Sequence, residues 1–104
     1  MSEPGDDFVS RVLEVVDSIP PGQVMSYGDV AATVGTRAAR AVGTVMARYG
    51  DEVPWWRVIR ASGEPPVCHE SQALVHYEAE GTPLVATASG YRVNLRLARY
   101  YPLR

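Results

Sequence analysis

The sequence contains few residues that support redox or metal chemistry. Its 104 residues include one cysteine, Cys68, and two histidines, His69 and His76. A single cysteine cannot form an internal disulfide, which suits a reducing compartment, and these three residues are too few for a zinc site of the usual spacing. We therefore expect no metal and no cofactor.

Long hydrophobic runs are also absent. No stretch approaches the roughly 20 apolar residues that a membrane helix needs, and the segment from Met1 to Asp7 is acidic where a secretory signal would be basic. The sequence thus predicts a cytoplasmic protein. Its length suits one domain, residues 1–104, and a content of 46% apolar and 21% charged residues is typical of a folded globular chain.

Lysine is missing altogether, so all ten basic side chains are arginines. Arginine favours bidentate contacts with phosphate, although a GC-rich coding sequence explains the same bias more simply. The net charge of −2 argues against nucleic-acid binding, but the charge is unevenly distributed. Residues 1–35 carry six acids and one arginine, whereas residues 36–60 carry five arginines and two acids. Positive charge is therefore concentrated in one central segment.

Three helices are predicted in the first half of the chain. Apolar residues at helical spacing predict an amphipathic helix over 7–19, which Pro20-Pro21-Gly22 ends. Ser26 and Asp29 have the spacing of a capping box and predict a short helix over 27–34. Thr36 is suited to cap a third helix over 37–49. Two short capped helices joined by a Gly-Thr turn indicate a helix-turn-helix.

The predicted third helix has two distinct faces. One face is apolar and would pack, and the other carries a stripe at spacings of three, four and four that could meet phosphate: Arg37, Arg40, Thr44 and Arg48. An ordinary solvated face is the alternative interpretation of this stripe.

The second half combines a tryptophan-rich run with turn-rich segments. The density of large residues in Pro54-Trp55-Trp56-Arg57-Val58-Ile59 predicts that much of this run is buried. A fourth helix is predicted over Glu70–Glu80, with His76 on its surface, and a hairpin over 84–87 and 91–93. The predicted fold is mainly α, a single helix-turn-helix domain, winged-helix-like, with a small C-terminal β-hairpin.

Three blocks of the sequence resemble the DNA-binding domain of the O6-alkylguanine-DNA alkyltransferases and follow the order of that family. They are Ile19-Pro20-Pro21-Gly22-Gln23-Val24-Met25-Ser26-Tyr27, Ala38-Ala39-Arg40-Ala41-Val42-Gly43 and Pro54-Trp55-Trp56-Arg57-Val58-Ile59. Glu78-Ala79-Glu80-Gly81 extends the match weakly. Any one block is a weak signal, whereas three blocks in register are specific.

In the enzymes of this family the third block reads Pro-Cys-His-Arg, and the histidine helps to activate the cysteine thiolate that accepts the alkyl group. Here Trp55 and Trp56 occupy those two positions. An indole ring has no nucleophile to replace a thiolate, and Trp56 cannot act as a base. Tryptophan at the cysteine position is characteristic of the alkyltransferase-like proteins, non-enzymatic relatives that bind O6-alkylguanine and expose it to nucleotide excision repair. The resemblance implies no catalytic residue and no enzymatic activity.

The resemblance also implies roles for individual residues. Arg40 would enter the base stack through the minor groove, and Tyr27 would press on the phosphate beside the nucleotide that rotates out. Met46, Trp55 and Val58 would line the alkylguanine pocket together with Tyr27, while Trp56 lies in the core. Ala38, Ala39 and Gly43 would let the helix lie close to the groove. The other residues expected at the DNA are Ser26, Thr36 and Arg37.

The implied partners are double-stranded DNA containing alkylated guanine and proteins of nucleotide excision repair. The protein would act as a monomer associated with the nucleoid. Residues 62–70 are shorter than the corresponding loop of the enzymes and contain no arginine that could lie against the base.

Two other hypotheses stay open. Cys68-His69 superficially repeats the Cys-His pair, so the protein could be a methylated-DNA-protein-cysteine alkyltransferase with a displaced nucleophile, although this pair lacks the Arg-Val-Ile continuation. A plain helix-turn-helix regulator that reads the major groove is the second hypothesis. The alanine-rich face around Arg40 argues against it, because it offers few hydrogen-bonding side chains for base edges.

Overall fold

The computed structural model describes residues 4–102. Within this range the chain forms five α-helices: α1 (Pro4–Asp17), α2 (Tyr27–Thr33), α3 (Ala39–Tyr49), α4 (Glu70–Glu80) and α5 (Leu95–Ala98). Two short 3₁₀ helices, Gly50–Glu52 and Trp55–Arg57, lie between α3 and α4. The acidic segment discussed above, Met1 to Asp7, begins with three residues that lie outside the described range. No helix in the described part of the chain is long and apolar enough to cross a membrane.

Two small sheets complete the fold. Strands β1 (Met25–Ser26) and β2 (Val58–Ile59) pair in parallel, with Met25 opposite Val58. Strands β3 (Leu84–Thr87) and β4 (Gly90–Val93) form an antiparallel hairpin. The mainly helical fold with a small C-terminal hairpin is the one predicted, whereas the parallel pair and α5 were not predicted.

The helix-turn-helix of α2 and α3 begins at the predicted capping box. The Ser26 hydroxyl accepts a hydrogen bond from Asp29 N at 3.0 Å, and Asp29 Oδ2 accepts one from Ser26 N at 3.1 Å. Both ends of the box therefore satisfy backbone N–H groups that the helix itself leaves free.

The start of α3 differs from the prediction by two residues. Thr36 does not cap the helix, because its hydroxyl accepts from Ala38 N at 3.1 Å and closes a turn that precedes Ala39. Gly35, with φ of +87°, begins this turn, a conformation that favours glycine. Arg37 and Ala38 consequently belong to the turn between the helices and not to the first turn of α3.

A first core lies between the three N-terminal helices. Its members are apolar residues from one face of each helix, joined by two strand residues and Ile19: Val12, Val16, Ile19, Met25, Val30, Ala31, Val34, Val42, Val45 and Val58. The prediction of an amphipathic first helix is confirmed, with bounds shifted toward the N-terminus. Burying these side chains is the dominant stabilising contribution to the packing of the helix-turn-helix.

A second core lies beneath α4, the hairpin and α5. It contains Val24, Ile59, Ala73, Tyr77, Val93 and Ala98, with Trp55 and Trp56 packed against its edge. The two cores meet along β1 and β2, because Met25 and Val58 belong to the first and Val24 and Ile59 to the second. The candidate site lies between these two cores, because Met46 packs on the first and Trp55 on the second.

Candidate nucleic-acid interface

A cavity of about 820 Å³ opens between α3 on one side and the loop before α4 on the other. Its volume lies in the range of roughly 300–1,000 Å³ that small-molecule pockets occupy. Tyr27, Met46 and Trp55 line it, as expected for the alkylguanine pocket.

Val58 does not line the cavity, and its placement in the pocket was wrong. Its side chain is 0% exposed and packs in the first core. Because β2 pairs with β1, Val58 lies opposite Met25 and its side chain belongs to the first core.

The α3 side of the cavity is apolar. Gly43, Met46 and Ala47 contribute to it, and Tyr27 at the start of α2 also lines the cavity. Gly50 is buried, and a Cβ atom there would lie 3.3 Å from Met46 Cε and 3.6 Å from Trp55 Cβ. The glycine therefore allows Met46 and Trp55 to approach each other and form one continuous apolar wall.

Trp55 stands within a group of four rings. Its ring centre lies 5.7 Å from that of Trp56 at 87°, 5.9 Å from His76 at 81° and 5.4 Å from His69 at 56°. Edge-to-face contacts of this kind fix ring orientation. The indole of Trp55 is consequently held as a flat surface along the cavity.

Trp56 packs edge-to-face against Trp55. It packs against the second core, as predicted, but is half-buried and stacks on His76 with centres 3.6 Å apart and planes 7° from parallel. Its Nε1–H donates to Glu80 Oε2 at 3.1 Å. This contact of Trp56 could not be predicted from the sequence, and it leaves the indole N–H bound by a carboxylate.

Glu80 connects several segments of the chain. Its carboxylate accepts hydrogen bonds from Arg57, from Trp56 and from the backbone N–H of Gly22, while Arg57 also donates to Ile19 O. Burial raises the pKa of Glu80, but the hydrogen bonds and the Arg57 charge outweigh burial and leave the pKa below its ordinary value. The carboxylate is therefore ionised at neutral pH and holds Trp56 in place.

Another part of the cavity lining is polar and comes from α4 and the residue that precedes it. His69, Gln72 and His76 line it at spacings of three and four residues, which places them on one helix face. His76, expected on the helix surface, is half-exposed, and its ring both stacks on Trp56 and lines the cavity. Its distance from the tryptophans in sequence concealed this contact.

Cys68 is exposed and lies outside the cavity lining. Its backbone has φ of +69°, and its N–H donates to Glu70 Oε2 at 3.0 Å. The neighbouring Val67 and His69 face the cavity instead. This geometry gives no support to a displaced nucleophile at Cys68.

Arg60 lines the cavity and was missed at the level of sequence. Residues 62–70 indeed contain no arginine, but Arg60 follows β2 directly and places a guanidinium in the wall that this loop completes. Burial raises the pKa of the Tyr27 phenol above its usual value although the Arg60 charge opposes the shift. Tyr27 therefore stays neutral and can donate a hydrogen bond from the edge of the cavity.

The predicted arginine stripe begins in the turn before α3, with Arg37, and continues on α3 with Arg40 and Arg48. Arg37, Arg40 and Arg48 are exposed, and none of them forms an ion pair with another residue in the range 4–102. Gly43 is half-exposed and also lines the cavity. Gly43 therefore belongs both to the expected interface and to the cavity lining.

Ala38, Ala39 and Thr36 lie along this surface, but Ser26 does not. Ala38 is exposed and Ala39 and Thr36 are half-exposed, whereas Ser26 is 4% exposed with its hydroxyl engaged in the capping box. The side chain of Ser26 therefore positions Tyr27 through α2 and is not available to DNA.

A family model described as the DNA-binding domain of 6-O-methylguanine DNA methyltransferase matches residues 7–80. The chain belongs to this family. Membership confirms the resemblance that the three sequence blocks carry.

Similar proteins include a DNA base-flipping protein and an alkyltransferase-like protein. A DNA base-flipping protein of Escherichia coli is 40% identical over 106 residues, covering 94% of this chain and 76% of that protein. Alkyltransferase-like protein 1 of Schizosaccharomyces pombe is 36% identical over 98 residues, covering 86% and 91%. The crystal structure of S. pombe Atl1 with damaged DNA containing O6-carboxymethylguanine matches with a TM-score of 0.83 and 34% identity, covering 98% of this chain and 100% of that one.

Proposed function

We propose that this protein binds duplex DNA containing O6-alkylguanine, rotates the damaged nucleotide into the cavity and holds it there without accepting the alkyl group. Its relatives named alkyltransferase-like and base-flipping proteins support this proposal, as does its likeness to a protein crystallised with damaged DNA. Residues 1–104 would act together as one domain.

The observation that carries the proposal is the wall that Trp55 forms in the cavity. A flat indole braced by Trp56 and His76 can stack on a base but cannot accept an alkyl group by displacement. The sulfur among the described cavity residues is the thioether of Met46, and Cys68 lies outside. The cavity is therefore suited to holding a lesion and lacks the thiolate that transfer requires.

The energetics favour a damaged base over an intact one. Extruding a nucleotide costs a few kcal/mol, less where pairing is already weakened, and stacking on an aromatic wall returns about 1–3 kcal/mol. Alkylation at O6 weakens pairing with cytosine, so selectivity arises before the cavity contacts the adduct. The apolar surface of Met46 and Trp55 then adds contacts that unmodified guanine does not make.

The α3 surface supplies the remaining steps. Arg40 is exposed and free of ion pairs within the described residues, so it can enter the base stack and fill the vacated space. Tyr27 lies at the end of the cavity with a neutral hydroxyl that can donate to the phosphate of the rotated nucleotide. Small residues at Ala39 and Gly43 allow the helix to approach the groove closely.

The bound lesion would then be passed to nucleotide excision repair. A protein that flips a base and performs no chemistry needs a downstream enzyme to remove the lesion, and a distorted duplex is the form that excision repair recognises. We propose that the protein acts as a monomer, associated with the nucleoid in the cytoplasm.

One titration tests the proposal. Matched duplexes with guanine or O6-methylguanine at one position are titrated with the protein, and intact mass is recorded after long incubation. We expect tighter binding to the alkylated duplex and no gain in mass. Equal affinities would contradict lesion recognition, whereas tight binding to one unmodified sequence would indicate a helix-turn-helix regulator.

A further inference from the structure

The geometry of the cavity points to a preference for one chemical class of adduct. We infer that Arg60 makes the cavity select O6 adducts that end in a carboxylate over neutral adducts of the same size and shape. This inference rests on the proposed function, because it assigns the substrate class of the same cavity.

Arg60 has donor groups available in the cavity wall. Its Nε–H donates to Pro65 O at 3.0 Å, which fixes the side chain against the loop before α4. Its Nη1 lies 3.9 Å from Glu64 Oε1, a separation longer than a hydrogen bond. The anchored Nε and the remaining Nη donors form a positioned guanidinium on the cavity surface.

Glu64 forms only a long, solvent-exposed ion pair with Arg60. Glu64 and Arg60 have side chains 46% and 37% exposed, so their attraction is weak and screened by solvent. Glu70 is exposed and accepts a hydrogen bond from Cys68 N. Asp51 also lines the cavity but is exposed and belongs to the turn after α3, outside the polar side formed by α4.

The groups near Arg60 also suit an adduct that ends in a hydrogen-bond acceptor. His69 and Gln72 line the polar side, joined by a 3.0 Å hydrogen bond between His69 Nδ1 and Gln72 Oε1. Trp55 and Met46 line the apolar side, where a base can stack. A base held by the apolar side would direct a substituent at O6 toward the polar side or along the wall, and Arg60 is the cation within that lining.

A carboxylate is the terminal group that such a site reads best. A guanidinium binds a carboxylate through two parallel charge-assisted hydrogen bonds, which are roughly twice as strong as neutral ones. A carboxamide of the same shape offers one oxygen acceptor and an NH₂ group that opposes the guanidinium donors. The two adducts therefore differ in charge and hydrogen bonding while filling nearly the same volume.

The test compares four duplexes of one sequence carrying guanine, O6-methylguanine, O6-carboxymethylguanine or O6-carbamoylmethylguanine. For the wild-type protein we expect the carboxymethyl duplex to bind about fivefold tighter than the carbamoylmethyl duplex, the difference between a charge-assisted and a neutral pair. Arg60→Gln should reduce this ratio to about one, and Arg60→Lys should retain part of it because the charge remains without the bidentate fork. Arg96→Gln, which removes an exposed arginine of α5 outside the cavity lining, should leave the ratio unchanged.

The outcomes separate the two levels of the proposal. If no alkylated duplex binds tighter than guanine, the proposed function itself fails. If alkylated duplexes bind tighter but the wild-type ratio is one, or if the ratio survives Arg60→Gln, lesion binding stands and Arg60 does not select adducts. Thermal unfolding of each variant identifies any loss of fold, and Arg60→Lys then decides the role of Arg60 by whether its ratio falls below that of the wild type.

Discussion

Trp55 and Trp56 are adjacent in sequence but make different contacts. Trp55 presents its ring to the cavity, whereas Trp56 turns its N–H toward Glu80 and its face toward His76. The resemblance to the alkyltransferases implies that these two positions hold the Cys-His pair of the enzymes. Replacing only one of them should therefore not create an alkyltransferase.

Restoring chemistry should need both substitutions. Trp55→Cys supplies a thiol whose ordinary pKa of about 8.5 leaves only a few per cent thiolate at pH 7, and a neighbouring indole cannot lower it. Transfer from O6-methylguanine DNA should be slow or absent in this variant and faster in Trp55→Cys with Trp56→His. Intact-mass spectrometry measures the transferred methyl group. Thermal unfolding followed by circular dichroism measures the loss of stability, several kcal/mol, that the cavity left by the indole rings should cause.

Wild type and Cys68→Ser are the controls for that experiment. Both should bind alkylated DNA reversibly and gain no mass, because Cys68 lies outside the cavity lining. A methyl group on Cys68 of the wild-type protein would overturn the assignment and make the protein an enzyme with a relocated nucleophile.

Arg40 should matter for binding and not for folding. Its side chain is exposed and makes no ion pair within residues 4–102, so Arg40→Ala should change stability by no more than about 0.5 kcal/mol. Affinity for an O6-methylguanine duplex should fall at least about tenfold, a loss of about 1.4 kcal/mol, because the vacated space in the stack is left unfilled. A variant that binds like wild type would show that another residue enters the duplex.

At the scale of elements, α3 buries one face in the first core and carries the small residues Ala39 and Gly43 outside that core. Gly43 is where this is most testable, since a Cβ atom there would meet nothing within 4 Å in the free protein. Gly43→Ala should stabilise the helix by up to about 1 kcal/mol, the difference in helix propensity. DNA binding should nevertheless weaken, because the added methyl group lies where the helix approaches the groove.

The opposite signs make this variant informative. Thermal melting reports the gain in stability, and titration with alkylated duplex reports the loss of affinity. If Gly43→Ala strengthens both, α3 does not approach DNA through this face.

Glu80 ties α4 to the turn after α1 and to the segment that carries Trp56. Since its pKa is lowered in the folded protein, its contribution to stability is present above its unfolded pKa of about 4.3 and is lost as pH falls through the lower folded value. Glu80→Gln should destabilise the protein at pH 7 by about 1–3 kcal/mol. The same substitution should cost progressively less as the pH falls below about 4.

Urea unfolding of wild type and Glu80→Gln from pH 3 to 7 measures this difference. Glu78→Gln is the matched control, because Glu78 is an exposed residue of the same helix with no ion pair among the described residues. A constant gap between wild type and Glu80→Gln at all pH values would contradict the role assigned to the ionised carboxylate.

On the scale of the whole molecule, charge is segregated. The net charge is −2, yet the exposed arginines at positions 37, 40 and 48 gather on the helix-turn-helix surface. If two to four arginines neutralise phosphates, log affinity should fall against log salt concentration with a slope of roughly −2 to −4, at about −0.9 per phosphate. A slope near zero in fluorescence-anisotropy titrations would show that the stripe is only solvated.

Local signals in the sequence predicted the first four helices and several of their ends, but not α5 or the first residues of α1 and α3. The Ser26–Asp29 box and the left-handed Gly81 after α4 act over a few residues, so their chemistry can be read directly. Register with the family blocks predicted that Trp55 and Met46 line one cavity, as the structure shows, and position 55 carries an indole and no thiol. These conclusions needed no information about packing between distant segments.

Only the tertiary structure decided which residues complete the cavity. His76 reaches Trp56 across 20 positions of sequence, and Arg60 joins the wall because Pro65 O anchors its guanidinium. Val58 moved from the expected pocket to the core because β2 pairs with β1, a contact between segments more than 30 residues apart. Periodicity and capping describe neighbours along the chain, whereas a cavity is defined by surfaces that meet only when the cores of α1–α3 and of α4 pack side by side.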